Sequence, residues 1–142
     1  MNEEIILFET DFWKVILHPN QAYLGYSIVV LKSESESMSD ITKDEWTEFY
    51  EVVKKLESSF KKTFGATMFN WTCLLNSFYR EEIIKPELHW HFRPRYKDIV
   101  KINEEVFEDL EFAHHYNKKR EHIVSTELLK KISDYFKCGL IP

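Results

Sequence analysis

From residue 87 to 93 the chain alternates strictly. Leu88, Trp90 and Phe92 are apolar, while Glu87, His89, His91 and Arg93 are polar or ionisable. Successive side chains on a strand point to opposite faces, so this period of two predicts a strand with one face in a core. Pro94 has no N–H to donate, and pairing is expected to end there. The stretch from Thr67 to Leu75 alternates in the same way, with Phe69, Trp71, Cys73 and Leu75 on one side and Asn70 and Thr72 on the other. Asn76 terminates it.

Shorter runs predict three more strands: Ile5 to Phe8, Trp13 to Leu17 after a turn at Thr10 and Asp11, and Tyr26 to Leu31 after the polar break His18-Pro19-Asn20-Gln21. Between the third strand and Thr67 the period changes. Trp46, Phe49, Tyr50, Val53, Leu56, Phe60 and Phe64 recur at steps of three and four, which is a helix with one apolar stripe. Thr42 followed by Glu45 is a capping box at its start, and Gly65 stops it. A second helix runs from a cap at Ser125 to Lys137, with Leu128, Leu129, Ile132, Tyr135 and Phe136 inward and Gly139 at its end. Val106 to Ala113 reads as a strand or an extended lid. His114-His115 and the basic cluster Lys118-Lys119-Arg120 read as polar surface. Strands interrupted by one long helix, with no strand–helix–strand rhythm, predict an α+β fold: an antiparallel sheet with helices on one face.

Composition adjusts this picture only slightly. A chain of 142 residues with 44% hydrophobic and 15% aromatic content suits one domain over residues 1–142, with a well-packed core. A net charge of −5 argues against nucleic-acid polymers as partners but leaves a nucleotide open. Cys73 and Cys138 are neither a disulfide framework nor a metal knuckle. No basic-then-apolar leader and no membrane-length apolar run is present, so a cytoplasmic protein without membrane contact is expected.

The polar face of residues 87–93 is where chemistry concentrates. A solvated outer sheet face is the plain reading of such a row. Yet two of only six histidines stand at i and i+2, beside a carboxylate that could orient an imidazole and two arginines, Arg93 and Arg95, that could hold an anion. Two ligands of a metal site are a further reading, but no fourth ligand has convincing spacing.

His89-Trp90-His91-Phe92-Arg93-Pro94-Arg95-Tyr96 also resembles the end of the histidine triad (HIT) motif, His-φ-His-φ-His-φ-φ followed by Pro-Arg. Anchored on Pro94-Arg95, His91 takes the third triad position, His89 the second, and Glu87 replaces the first histidine. Gly25 to Lys32 is similar to the family's Gly-His-φ-φ-Val-φ-Pro-Lys strand, with Tyr26 in place of its histidine. Met38-Ser39-Asp40-Ile41-Thr42 is similar to its Leu-x-Asp-Leu-Thr approach to a long helix. The resemblance spans Phe12 to Asp98.

That resemblance implies a five-stranded antiparallel meander with one long helix and a C-terminal helix, usually dimeric. It implies a nucleotide hydrolase or nucleotidyl transferase acting on a dinucleoside polyphosphate or a nucleoside phosphoramidate. His89 would attack the α-phosphorus and His91 would serve the leaving group. Asn76, thirteen residues before His89, matches the family's phosphate-contacting amide. His18 falls at the ribose-contacting offset, and Asn20 is chemically nearer the residue usual there. Glu87 and Arg95 complete the expected substrate contacts, with Arg80 and Lys85 as other candidates for phosphate. The family's glycine-bearing loop before the motif is replaced by Arg80 to Pro86 without glycine. No metal and no cofactor is expected beyond Mg²⁺ as counter-ion to a substrate. The rival expectation is a HIT-derived nucleotide-binding module without turnover, and a metal-dependent hydrolase ranks third.

Overall fold

The computed structural model describes residues 3–80 and 85–139. The period-two stretches become five strands of one antiparallel sheet: β1 (Ile5–Glu9), β2 (Trp13–Leu17), β3 (Ser27–Leu31), β4 (Met68–Thr72) and β5 (His89–Arg95). Their spatial order is β1-β2-β3-β5-β4. The first three strands are neighbours in sequence. The long helix then carries the chain to the far edge, and β5 returns into the gap between β3 and β4.

That helix, α1 (Lys43–Phe64), starts as its sequence dictates. The Thr42 hydroxyl accepts from the Glu45 N–H at 3.2 Å, and the Glu45 carboxylate accepts from the Thr42 N–H at 2.9 Å. Gly65 ends it with φ of 81°, a conformation that glycine adopts without steric cost. The buried stripe is Phe49, Val52, Leu56, Phe60 and Phe64. Tyr50, expected on the stripe, is 60% exposed, because one residue turns the helix by about 100° and Phe49 already fills the contact.

The apolar face of β5 meets this stripe. Phe60 and Phe92 lie 5.7 Å apart and Phe49 stacks on Trp90 at 5.2 Å, ring centre to ring centre. The second long helix, α3 (Thr126–Cys138), is capped by the Ser125 hydroxyl and brings Phe136 to within 5.4 Å of Phe60. Each fully buried aromatic or aliphatic side chain here contributes about 1.5–3 kcal/mol. Both helices therefore occupy one face of the sheet, and the histidine face is left for something else.

Four local expectations change. The β5 ladder runs past Pro94 to Arg95, which pairs with Met68. Leu88 offers its carbonyl to β3 and Arg95 offers its own toward β4, so the N–H that Pro94 lacks would point to the β3 side, beyond the last β3 pair at Ser27. Strand β4 stops at Thr72, and a short helix, α2 (Asn76–Arg80), begins where a loop was expected. Residues 81–84, the middle of that glycine-free loop, lie outside the described residues. Finally, a hairpin of β6 (Val100–Ile102) and β7 (Glu105–Phe107) replaces the strand or lid expected over Val106 to Ala113. Asn103 supplies its positive-φ turn residue.

From Asp109 to Ile123 the chain has no regular element and crosses the histidine face as a strap. Gln21 donates to the His122 carbonyl, Val124 to that of Pro19, and the Asn117 N–H to the Tyr23 hydroxyl. Among the described residues no helix is long and apolar enough to cross a membrane.

Candidate functional site

Strand β5 presents His89, His91, Arg93 and Arg95 on the face opposite Phe92, as alternation requires. Tyr26, the residue before β3, stands beside them, and β4 sets Thr72 there. The rings of His89 and His91 lie 5.1 Å apart and line one cavity of about 270 Å³. Asn76, at the start of α2, lines the same cavity, so His89, His91 and Asn76 are brought together. Three cations complete the wall: Arg80, Arg93 and Lys118. No carboxylate lines it among the described residues.

His91 is fixed by a 2.7 Å hydrogen bond between its Nδ1 and the Tyr26 hydroxyl. Burial lowers its pKa to about 4, with further lowering from His89, Arg93, His18 and Lys118. Burial also raises the Tyr26 phenol above its ordinary value, so the phenol keeps its proton. We therefore assign the phenol as donor to Nδ1, which places the proton of neutral His91 on Nε2. His89 differs. Its Nδ1 is buried without a hydrogen-bond partner among the described residues, and Glu87 Oε1 lies 3.7 Å away.

The other expected site residues divide. Glu87 precedes β5 and its side chain is 62% exposed, so it flanks His89 rather than sharing the cavity. The His18 ring packs on Tyr26 at 4.7 Å, and burial followed by Arg93 lowers its pKa, which places it at the margin of the site. Asn20 is taken up by the strap: its Oδ1 accepts from Ala22 and His122 N–H groups, and its Nδ2 donates to the Arg120 carbonyl. It is a turn residue here.

Arg95 is a correction. It is 0% exposed, and all five of its N–H donors are engaged within the protein. Two go to the Asp109 carboxylate, at 2.7 and 3.0 Å, and the others to Asn70 Oδ1 and the carbonyls of Glu111 and His114, each at 2.8 Å. No donor remains for a phosphate. Lys85 pairs with Glu34 on the exposed surface, away from the histidines.

The arginine of β5 that does line the cavity is Arg93. Its guanidinium carbon lies 4.2 Å from the Tyr26 ring centre and 4.0 Å from that of Tyr116, and it has no hydrogen bond or ion pair among the described residues. Tyr116 and Lys118, both from the strap, line the cavity, whereas the sequence places Lys118 in a polar surface cluster. An aromatic residue two positions before a lysine was their only signal.

No family model and no curated protein matches the chain by sequence. Solved structures do match in fold. A histidine triad protein from Marinobacter aquaeolei superposes with a TM-score of 0.71 at 15% identity, over 96% of this chain and 88% of that one. One from Sinorhizobium meliloti gives 0.71 at 14%, over 96% and 90%. A hypothetical histidine triad nucleotide-binding protein from Sulfolobus tokodaii gives 0.68 at 17%, over 97% and 84%. The chain has the fold of these histidine triad proteins, with His89 and His91 side by side on β5.

Proposed function

We propose that the protein is a nucleotide hydrolase or nucleotidyl transferase in which His89 attacks the α-phosphorus of a dinucleoside polyphosphate or nucleoside phosphoramidate. The observation that carries this reading is the pair of adjacent imidazoles in a cavity that, among the described residues, is walled by three cations and no carboxylate, in a chain of net charge −5. Such a wall concentrates anions and stabilises charge that develops on phosphoryl oxygens. The His89 lone pair forms the N–P bond as the P–O or P–N bond of the leaving group breaks. Water then displaces the imidazole, releasing the nucleotide and restoring His89. Neutral His91, with its proton on Nε2, donates a hydrogen bond to the departing atom, and Asn76 donates to a phosphoryl oxygen. No resident metal takes part in this scheme, and Mg²⁺ serves only to screen a polyphosphate. A cytoplasmic homodimer is part of the same proposal, and the edge position of β4 supports the dimer.

The nucleotide-binding module without turnover keeps one specific observation in its favour. A nucleophilic imidazole needs its second nitrogen held, and His89 Nδ1 has no hydrogen-bond partner among the described residues, with Glu87 standing 3.7 Å off. One experiment separates the two readings. Wild type and His89→Ala are mixed with adenylated and guanylated conjugates, and adducts are sought by intact-protein mass spectrometry alongside single-turnover rates. The enzyme reading expects a nucleotidyl adduct on wild type only, and a rate loss of about 10³-fold or more in the variant with little change in nucleotide affinity. Equal binding by both proteins with turnover by neither replaces it with the binding module.

A further inference from the structure

We propose that Arg93 and Lys118 form an anion subsite beside the histidines, built for a second phosphate, so that the site favours pyrophosphate-type groups over a single phosphate. The inference rests on the nucleotidyl reading only for which phosphate is attacked.

Arg93 is the first support. A half-buried guanidinium normally finds a carboxylate or a carbonyl, as Arg95 does two residues later. Arg93 has instead the rings of Tyr26 and Tyr116 against it, at 4.2 and 4.0 Å. Ring contacts of this kind hold the planar group by its faces and leave the N–H fork at the edge, where it can grip an anion through two parallel bonds. That group lines the histidine cavity.

The order along the strand is the second support. His89, His91 and Arg93 follow one another on one face at steps of roughly 6.5–7 Å between alternate residues. A phosphorus at His89 and a departing oxygen at His91 put whatever lies beyond that oxygen in front of Arg93. Lys118 reaches the same end from the strap, and both cations are near enough to His91 to depress its pKa. The space that the same two cations border together with Asn20, Tyr23 and Arg120 is only about 20 Å³, too small for a phosphate. The strap therefore makes the subsite, through Tyr116 and Lys118, and closes the surface beside it.

The test is calorimetric titration of the full chain with inorganic pyrophosphate and with inorganic phosphate, without nucleotide. Wild type should bind pyrophosphate about tenfold or more tightly than phosphate, since a second charge-assisted contact is added. Arg93→Met should remove most of that preference, Arg93→Lys should keep part of it, and Lys118→Ala should weaken pyrophosphate several-fold. Should Arg93→Met fail to fold, Arg93→Lys and Lys118→Ala decide, and unchanged pyrophosphate affinity in both overturns the proposal. Equal binding of the two anions by wild type also overturns it. Because neither anion can form a nucleotidyl adduct, failure here leaves the His89 assignment standing, and failure of that assignment leaves this result standing.

Discussion

Arg93 and Arg95 stand two residues apart on the same face of β5, with the same side chain and nearly the same neighbours in sequence. Arg95 is fully buried with five hydrogen bonds to four residues, one of them the Asp109 carboxylate; Arg93 is half-buried with two rings and no anion among the described residues. The difference comes from where the strap touches the sheet. It delivers Asp109 and the carbonyls of Glu111 and His114 to Arg95, then Tyr116 and Lys118 to Arg93. One end of the polar row is thereby made into structure and the other is kept as a site. An arginine is assigned by its partners, and those of Arg95 lie 14 to 25 residues away.

The largest expected effect tests the structural end. Asp109→Ala leaves a buried guanidinium without its charge partner, and such losses run to about 3–5 kcal/mol. Urea unfolding should show that loss, while replacing both partners by apolar residues, Arg95→Met with Asp109→Leu, should recover much of it. A loss under about 1 kcal/mol for Asp109→Ala would erase the contrast between the two arginines.

Next in size is Gly25, opposite the proline that separates them. Its φ is +92°, and a Cβ there would lie 2.4 Å from Phe60 Cε1 and 2.9 Å from Pro94 Cγ. Gly25→Ala should therefore cost about 2–4 kcal/mol in thermal or urea unfolding, from backbone strain and overpacking together. It should also disturb the neighbouring Tyr26 and with it the Arg93 end of the row. A variant of wild-type stability would mean that Gly25 does not set this spacing.

Much of the scaffold was legible because its causes are local. Thr42 and Glu45 cap each other, and Leu88, Trp90 and Phe92 alternate with the histidines, so three or four consecutive residues decide each element. His89, His91 and Asn76 were legible through a motif and its spacing, and the fold brings them to one cavity. What was not legible depends on the strap. Asn20 bonds to Arg120 and His122, about a hundred residues on, and nothing near Asn20 announces this. Arg95 was assigned to phosphate for the same reason: Asp109 lies in a stretch with no period at all. The strand through Pro94 was missed because the outcome depends on which neighbour its missing N–H would have faced.

A smaller effect concerns pH. The pKa of His91 is lowered from 6.5 to about 4, so the folded protein binds fewer protons here than the unfolded chain between those values. Stability contributed by this group is complete above about pH 6.5 and is lost as pH falls toward 4. The loss should be on the order of 1–2 kcal/mol, below the full linkage value because the imidazole is only partly buried. His18, lowered in the same direction, adds to it. Comparing the unfolding free energy of wild type and His91→Gln at pH 7 and pH 4.5 isolates the term. The variant should lose less on acidification, and parallel losses would show that His91 is not held neutral.

The smallest expected effect on stability is also the most specific to Arg93. Arg93→Met keeps an apolar side chain but removes the guanidinium that lies against Tyr26 and Tyr116, so unfolding should change by about 1 kcal/mol or less. The electrostatic consequence is separate. Arg93 is one of the charges that push the His91 pKa down, behind burial and His89, so its removal should raise that pKa part of the way back toward the ordinary value. Burial remains, so the return cannot be complete. Titrating the His91 ring by NMR in wild type and Arg93→Met reads this directly. Replacing Arg95 and Asp109 together is the matched control, because that pair is neutral overall and does not figure among the influences on His91. A His91 titration that moves in the control and stays fixed in Arg93→Met would reverse the division of labour drawn between the two ends of the strand.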